Sequence, residues 1–439
     1  MTAPRIAAVT YDFYPFDIRV RRMAEAAVDG GFEMHVICLR QPGEAREEVC
    51  AGVHVHRLPL GRGFGQSLPV TVAGWAWFTL LASAVLTRQH LRQRYDVVIA
   101  HNMPDFLVYA GLLPKLFGAK LVLDVQDVSP ELMAAKASGR KRALLFRLAA
   151  WQERAATWVS DQVITVGWPF EERLLARGVR PRKLSLILNS ADPKLFPAAR
   201  QEPAPWLTAT DRAARPFTLM YYGTLAERNG MATAIRALAL ARRTVPQVRL
   251  DIMGRGEEVP ALKRLAEDLG VGDAVAFNDP CPSERIVDFV LHGDVGIIPY
   301  HRDGFADLVL PTKAYEMAWM RRPIIASDTA AIRSMFRPGA ALLCDPDRPE
   351  TFADAIVELY QHPERQAAMV EQAAEDYQAY RWELMRERYQ SLLAGLARRT
   401  VDPTPQPPPP HAGEGEPDAL LTPAAERVGA FGERPAPLG

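Results

Sequence analysis

The sequence predicts an α/β protein: two doubly wound, Rossmann-like domains in series, facing across a cleft, with a disordered C-terminal tail. Three observations carry that expectation. Short runs rich in Val and Ile alternate with segments of helical periodicity; the alternation breaks once, over 198–216, and then restarts; and beyond Thr400 the composition turns to proline. Near-continuous apolar runs are what strands buried on both faces of a parallel sheet require. In such sheets ligands sit beyond the carboxyl ends of the strands.

In the first half the predicted strands are 5–10, 34–39, 53–58, 96–101, 120–125, 161–167 and 183–188, which define an N-terminal domain over 1–197. Residues 198–216 ("AARQEPAPWLTATDRAARP") read as a linker. The strands then resume at 217–223, 248–254, 274–279, 294–300, 322–327 and 341–344, within a C-terminal domain over 217–375. A long helical pattern over 364–396 breaks near Tyr380, and the helix of 376–399 is expected to pack back on the N-terminal domain. Ten of the 36 prolines lie in 400–439. Proline fixes φ and removes a donor, so this tail is expected to be disordered or polyproline II.

Composition narrows the function classes. The chain is 48% hydrophobic and 24% charged, as soluble globular proteins are. Lys+Arg and Asp+Glu are both 52, so the global basic excess of polyanion binders is missing and nucleic acid is not expected as a partner. The four cysteines form no C-x-x-C pair, which argues against a disulfide framework or a zinc site and for a reducing cytoplasm. The N-terminus lacks the pattern of a secretory signal. Ser67 to Thr87 is a 21-residue stretch without charge, long enough to span a bilayer. Spanning would split the first sheet, so a core helix, or one that also touches the membrane surface from the cytoplasmic side, is the expectation.

No G-x-G-x-x-G follows the first strand, and P-loop, H-E-x-x-H and G-x-S-x-G patterns are absent. Asp345 and Asp347 form a D-x-D that reads as a turn. His54 and His56 share one face of a strand, but spacing shows no third metal ligand. The positive signals lie in the second domain. "YYGTLAERNG" carries Gly223 and Thr224 from a strand end into a helix, and "IMGRGEE" places Gly254 and Gly256 in the same way. Strand-end glycines before a helix offer amides to an anion, although strand-to-helix turns use glycine anyway. Arg228 adds positive charge there or is simply solvated. In "LPTKAYEM" a helix starting near Thr312, after Pro311, sets Lys313 and Glu316 on one face, either as an ion pair or as groups holding phosphate and ribose. In the first domain, Asp17, Arg19 and Arg22 follow the first strand, His101 ends "DVVIAH", and Asp124 and Asp127 end "KLVLDVQD". Acceptor binding competes there with turn and capping duties.

These segments resemble the family 4 glycosyltransferases of the GT-B fold over roughly residues 5–396. "DIRVRRMAEAAVDGGFEMHVIC" is similar to the family's first-domain pattern, and "YDVVIAHNMPDFLVYAGLLPKLFGAKLVLDVQDVSPEL" to its paired strands around a His and an Asp. "YYGTLAERNGMATAIRAL", "IMGRGEE" and "PTKAYEMAWMRRPIIAS" match the donor-site segments in order.

The resemblance implies transfer of a sugar from a nucleotide diphosphate sugar to an acceptor hydroxyl of a glycan or lipid-linked acceptor. It also implies retention at the anomeric carbon, with no metal and no other cofactor. It gives Glu316 the donor ribose, Arg228, Lys313 and the Gly254–Gly256 turn the diphosphate, and His101 the transferred sugar; Asp17, Arg19, Asp124 and Asp127 stand on the acceptor side. Three departures stand out. Leu308 occupies the place of a glutamate eight residues before Glu316, with Asp307 the nearest acid, so either Asp307 reaches the sugar from a shifted loop or backbone amides serve there. The usual Gly-x-Arg and Lys-Gly pair reads Gly223-Thr224 and Asn229-Gly230, leaving Arg228 to carry the phosphate role. The first loop lacks glycines. The expected function is polysaccharide, glycolipid or other surface-glycan synthesis; a sugar-nucleotide epimerase, or a non-catalytic scaffold on the same fold, are the alternatives.

Overall fold

A computed structural model of the chain describes residues 3–61, 68–135, 139–210, 214–282 and 285–397. The expectations for the proline-rich tail and for Ser67 lie outside the described residues. The chain divides into two compact units, one ending at Leu188 and regained from Glu383, the other spanning Asn189–Trp382.

The first unit holds an eight-stranded sheet, β1 (Arg5–Phe13), β2 (Glu33–Leu39), β3 (Glu47–Cys50), β4 (Val53–Leu58), β5 (Val97–His101), β6 (Lys120–Val125), β7 (Gln162–Thr165) and β8 (Leu184–Leu186). Their order is β3-β4-β2-β1-β5-β6-β7-β8, parallel except at the β3 edge. Strand β3 was not legible in the sequence: it is short, polar and exposed, and a two-residue turn, Ala51-Gly52 with both φ positive, pairs it antiparallel to β4. The chain moves outward from β1 in one direction to β2 and in the other to β5. That reversal opens a crevice at the carboxyl ends of β1 and β5, where α/β sheets bind ligands.

Helix Leu68–Arg92 shows how one segment serves two environments. Phe78, Ala82, Leu86 and His90 recur every fourth residue and are buried. The first three pack against β-strand residues such as Val9 and Val98, each large side chain worth about 1.5–3 kcal/mol of burial. Most of the remaining apolar length faces outward, with Val70, Val72, Trp77 and Leu80 exposed. The helix is long and apolar enough to cross a membrane, yet one stripe of it belongs to the core. A charge at Ala82, which is fully buried, would break that stripe.

The second unit is a six-stranded parallel sheet, β9 (Phe217–Tyr222), β10 (Val248–Met253), β11 (Val275–Asn278), β12 (Val295–Ile298), β13 (Ile324–Ser327) and β14 (Leu342–Cys344), ordered β11-β10-β9-β12-β13-β14. Here the winding reverses between β9 and β12.

Two boundaries differ from the sequence expectation. The division falls after Leu188 instead of 197, and the described part of 198–216 belongs to the second unit instead of linking the two. Asp294 explains this: fully buried, it accepts hydrogen bonds from the amides of Trp206 (2.7 Å) and Thr218 (2.8 Å) and pairs with Arg215 at 2.9 Å. At the other end, helix Pro363–Tyr377 stays with the second unit, and helix Trp382–Ala397 joins the first from Glu383 onward. Its Met385, Tyr389 and Leu393 are fully buried, and Gln390 Nε2 donates to the Ala26 carbonyl at 2.8 Å.

Candidate active site

In the first unit, strand register builds the site. Thr10 of β1 stands beside His101 of β5, and His101 beside Asp124 of β6, so the carboxyl ends of three strands form one row. His101 Nδ1 lies 2.8 Å from Asp124 Oδ2. Arg19, from the first turn of helix Ile18–Asp29, places Nη2 2.6 Å from Oδ1 and Nε 3.0 Å from Oδ2, and its Nη1 donates to the Ile187 carbonyl at 3.1 Å. All three side chains are buried. Burial alone would push the Asp124 carboxyl up; the Arg19 charge, with hydrogen bonds from His101 and Arg19, outweighs it and holds the group well below the usual carboxylate range. An ionised carboxylate only accepts, so the Nδ1 proton of His101 is donated to Asp124.

Two of the acceptor-side residues, Arg19 and Asp124, are thus engaged with each other and with His101. Asp17 caps helix Ile18–Asp29, accepting from the Val20 amide at 3.0 Å, and burial raises its carboxyl pKa. Arg22, read as either near the cleft or in solvent, is buried. Asp127 meets Asn102 through its backbone: its carbonyl accepts from Asn102 Nδ2 at 2.7 Å. Asn102 is the residue that sequence reading missed. Its Nδ2 also reaches Asp105 Oδ1 at 2.7 Å, and its Oδ1 accepts from the Gln126 amide at 2.7 Å, so it fastens the loops after β5 and β6 to each other. A polar amide directly after a strand-end histidine was the available signal.

In the second unit the strand ends at the winding reversal carry the predicted segments. Gly223 and Gly254 follow directly from paired residues of β9 and β10, Tyr222 and Met253. The two turns are laced together by Gly223 N–H to the Met253 carbonyl (2.9 Å) and Leu225 N–H to the Arg255 carbonyl (2.8 Å). A Cβ on Gly254 would lie 1.9 Å from the Gly223 carbonyl oxygen, and one on Gly256 1.9 Å from that of Leu225, so backbone proximity requires glycine. Thr224 is exposed, its carbonyl receiving the Tyr221 hydroxyl at 2.9 Å and Asn229 Nδ2. Arg228 is exposed beyond this turn, its guanidinium 5.8 Å from the centroid of Phe305. Gly230, at φ +67°, then starts helix Met231–Ala241; a Cβ there would meet the Pro299 carbonyl at 1.7 Å.

Helix Thr312–Trp319 begins after Pro311, which offers no side-chain cap to its first amides. Lys313 and Glu316 go to different partners. The Lys313 ammonium is buried over the ring of Tyr221, 4.0 Å from its centroid, and 5.2 Å from that of Tyr300. Burial works against its charge, but the phenolic groups of Tyr300 and Tyr221 more than offset this and raise its pKa, so it stays protonated. The same ammonium would be 3.1 Å from a Cβ on Gly223, which places it at the Gly223 turn. Glu316 Oε2 accepts the Tyr222 hydroxyl at 2.7 Å. Burial, and then Glu316, push that phenol well up, so it remains the donor. Tyr221, Tyr222 and Tyr300, all three left as strand residues by pattern reading, thus surround Lys313 and Glu316.

At the place of the missing glutamate, Leu308 is buried and its amide donates to the Phe305 carbonyl at 2.9 Å. Asp307 hydrogen-bonds the Ala330 amide and lies among the charges of Arg302 and Arg333; burial raises its pKa. It is therefore engaged at the start of helix Ala330–Met335. Around His54 and His56 the structure adds His35 and Glu33, but the rings stack, with His35–His54 centroids 4.8 Å apart. Both His35 ring nitrogens are occupied, by His56 (3.2 Å) and Glu33 (3.1 Å), so the group reads as a hydrogen-bonded cluster across the adjacent strands β2 and β4.

Comparison with known proteins agrees with this geometry. Residues 17–190 match the glycosyl transferase 4-like domain, and residues 208–376 match the glycosyl transferases group 1 domain. The chain is 25% identical over 382 residues to a D-inositol 3-phosphate glycosyltransferase of Acidothermus cellulolyticus, covering 83% of this chain and 80% of the relative. It is 23% identical over 376 residues to the alpha-D-kanosaminyltransferase of Streptomyces kanamyceticus, covering 81% and 92%. Among solved structures it is similar to sucrose-phosphate synthase from Thermosynechococcus elongatus, with TM-score 0.71, 20% identity, and 90% and 99% of the two chains covered. It is also similar to Anabaena HepE in complex with UDP-glucose, with TM-score 0.65, 16% identity, and 89% and 99% covered. Two matched domains in succession, with the expected segments at the strand ends of each, lead to one identification: the chain belongs to the family 4 glycosyltransferases, nucleotide-sugar-dependent enzymes of the GT-B fold.

Proposed function

We propose that this enzyme transfers its sugar with retention at the anomeric carbon and without a metal ion, to a hydroxyl of a glycan or lipid-linked acceptor in polysaccharide, glycolipid or other surface-glycan synthesis. The observation that carries the reading is the Lys313 ammonium, buried, kept protonated and fixed at the Gly223 turn. As the bond from C1 to the diphosphate breaks, its electrons leave on the phosphate. A preorganised ammonium, the first amides of helix Thr312–Trp319 and the exposed charge of Arg228 supply the stabilisation that a metal gives elsewhere. Glu316, held by Tyr222, takes the ribose hydroxyls. His101, its Nδ1 donating to Asp124, hydrogen-bonds the transferred sugar through Nε2 and orients it, without forming a covalent intermediate. The outward-facing apolar length of helix Leu68–Arg92 supports peripheral contact with the cytoplasmic face of a membrane, where a lipid-linked acceptor would lie.

The test is calorimetric titration, without metal, with UDP, GDP, ADP and dTDP and their common sugar conjugates, beside Glu316→Ala. UDP heads the panel because the Anabaena neighbour was solved with it. Micromolar binding of one base, weakened in the variant, is expected; no binding by any of them overturns the reading.

A further inference from the structure

Helix Gly139–Val159 drew no attention in the sequence, yet it carries the most unusual surface of the first unit. Its inner face buries Glu153, Ala156 and Thr157. On its outer face Leu144, Leu148, Trp151 and Trp158 follow one another at steps of four, three and seven, which at 100° per residue is a single stripe. All four are exposed, the two tryptophans by 72% and 78%. Arg140, Arg147 and Arg154, seven residues apart and exposed, run as a parallel row beside that stripe. Soluble proteins rarely leave two tryptophans in one apolar stripe open to water.

Two further helices pack close to this one. Helix Leu68–Arg92, with Trp77 and Leu80 exposed, packs on the same 3₁₀ turn, Asp105–Gly111, and its Phe78 shares a core with Ala156. Helix Leu112–Leu116 sits with them, Lys115 Nζ donating to the Val159 carbonyl at 2.7 Å. The three helices contain eight Lys and Arg residues: two in the first, one in the second and five in the third. They contain one acid, Glu153, which is buried and paired with Arg177. Lys115 is paired with Asp161 at 2.8 Å, so in a chain with a net charge of zero these helices carry seven further Lys and Arg residues, five of them on the helix of the exposed tryptophans.

We propose that this face, led by helix Gly139–Val159, docks on an anionic lipid bilayer, with Trp151 and Trp158 in the interface and the arginine row against acidic headgroups. Exposed Trp and Leu beside Arg is the composition of interfacial helices, and acidic lipids complement the charge. A second copy seated on the same face would oppose one arginine row to another. The inference deepens the peripheral contact proposed above, adding a second helix and a lipid class, and it does not depend on turnover.

The experiment is co-sedimentation of the full chain with vesicles of phosphatidylcholine alone or with about one third phosphatidylglycerol. Wild type is expected to bind the anionic vesicles, more weakly at high salt. Trp151→Glu/Trp158→Glu should abolish binding. Arg140→Gln/Arg147→Gln/Arg154→Gln should weaken it by about a hundredfold on anionic vesicles, from roughly one interfacial charge per residue. These side chains are exposed, so thermal melts should match wild type; a variant that melts early is replaced by tryptophan fluorescence of wild type, which should shift blue on anionic vesicles. Equal partition onto neutral and anionic vesicles, unchanged binding in the tryptophan variant, no fluorescence shift, or a dimer in solution that the tryptophan substitutions dissociate would each overturn the proposal. Donor titration in the absence of lipid separates that result from a failure of the glycosyl-transfer reading.

Discussion

His101 and Asp124 stand side by side on neighbouring strands, Nδ1 to Oδ2 at 2.8 Å, and Arg19 closes the other side of the same carboxylate. His101→Ala removes the group assigned to the sugar and leaves the second unit untouched. Turnover should fall by about a hundredfold or more, with donor affinity within about threefold of wild type. Full activity in the variant, measured by steady-state kinetics, would remove His101 from the mechanism.

Asp124→Ala acts differently, because it leaves the buried Arg19 guanidinium without its counter-charge. A loss of roughly 3–5 kcal/mol in denaturant-induced unfolding is expected. Arg19→Met/Asp124→Leu, which removes both charges, should recover most of that loss while activity stays low, since His101 is no longer oriented. Equal stability of Asp124→Ala and wild type would contradict the buried pair.

Glu316→Ala should weaken donor binding by about tenfold or more, since hydrogen bonds to a charged group carry roughly 1.5–3 kcal/mol. Tyr222→Phe, which removes only the bond that holds Glu316, should cost less, about two- to tenfold. Titration calorimetry on both variants checks the order; a larger effect for Tyr222→Phe would assign the tyrosine the ligand contact itself.

Gly254→Ala forces a methyl to within 1.9 Å of the Gly223 carbonyl, so the two turns must part. Donor affinity should drop, with a stability loss of about 1–3 kcal/mol, the range for overpacking. Gly270→Ala has open space and φ +67° and serves as the control: backbone strain without loss of donor affinity. Donor binding unchanged in Gly254→Ala would dissociate this turn from the site.

Asp105 is fully buried, and burial pushes its carboxyl up to about 6 against hydrogen bonds from Asn102 and Ser129. A folded value above the ordinary 3.8 means that folding favours the neutral form. Its contribution to stability is therefore complete below about 3.8 and is lost as pH rises through about 6. Asp124, held low, works in the opposite sense: its contribution is present above its ordinary value and lost in acid. Melting temperatures of wild type and Asp105→Asn should diverge between these pH values, with the variant gaining relative stability as pH rises; parallel curves would contradict the shift.

Activity should survive chelator and show no dependence on added magnesium, because Lys313 and the helix amides are assigned the charge that a metal would otherwise neutralise. A strict metal requirement in an activity assay would refute that assignment.

What the sequence by itself determined is the pair of doubly wound domains and the strand ends that carry chemistry, because apolar runs, glycine turns and the Lys313–Glu316 spacing are local signals that survive without a fold. Strand β3 escaped, since a short polar edge strand has no apolar pattern, and the segment 198–216 looked like a linker because its anchor, Asp294, lies 88 residues from Trp206 and 79 from Arg215 in sequence. Which partner each polar side chain chose was decided only by tertiary structure. Nothing local paired Arg19 with Asp124; parallel register set Asp124 beside His101 and the first helix turned Arg19 onto it. Lys313 and Glu316 read as neighbours until Tyr221 and Tyr222, on opposite faces of one strand end, drew them apart. The exposed tryptophans of helix Gly139–Val159 were equally silent, for a helical stripe is apolar whether it faces a core or a membrane, and only packing shows which face remains open.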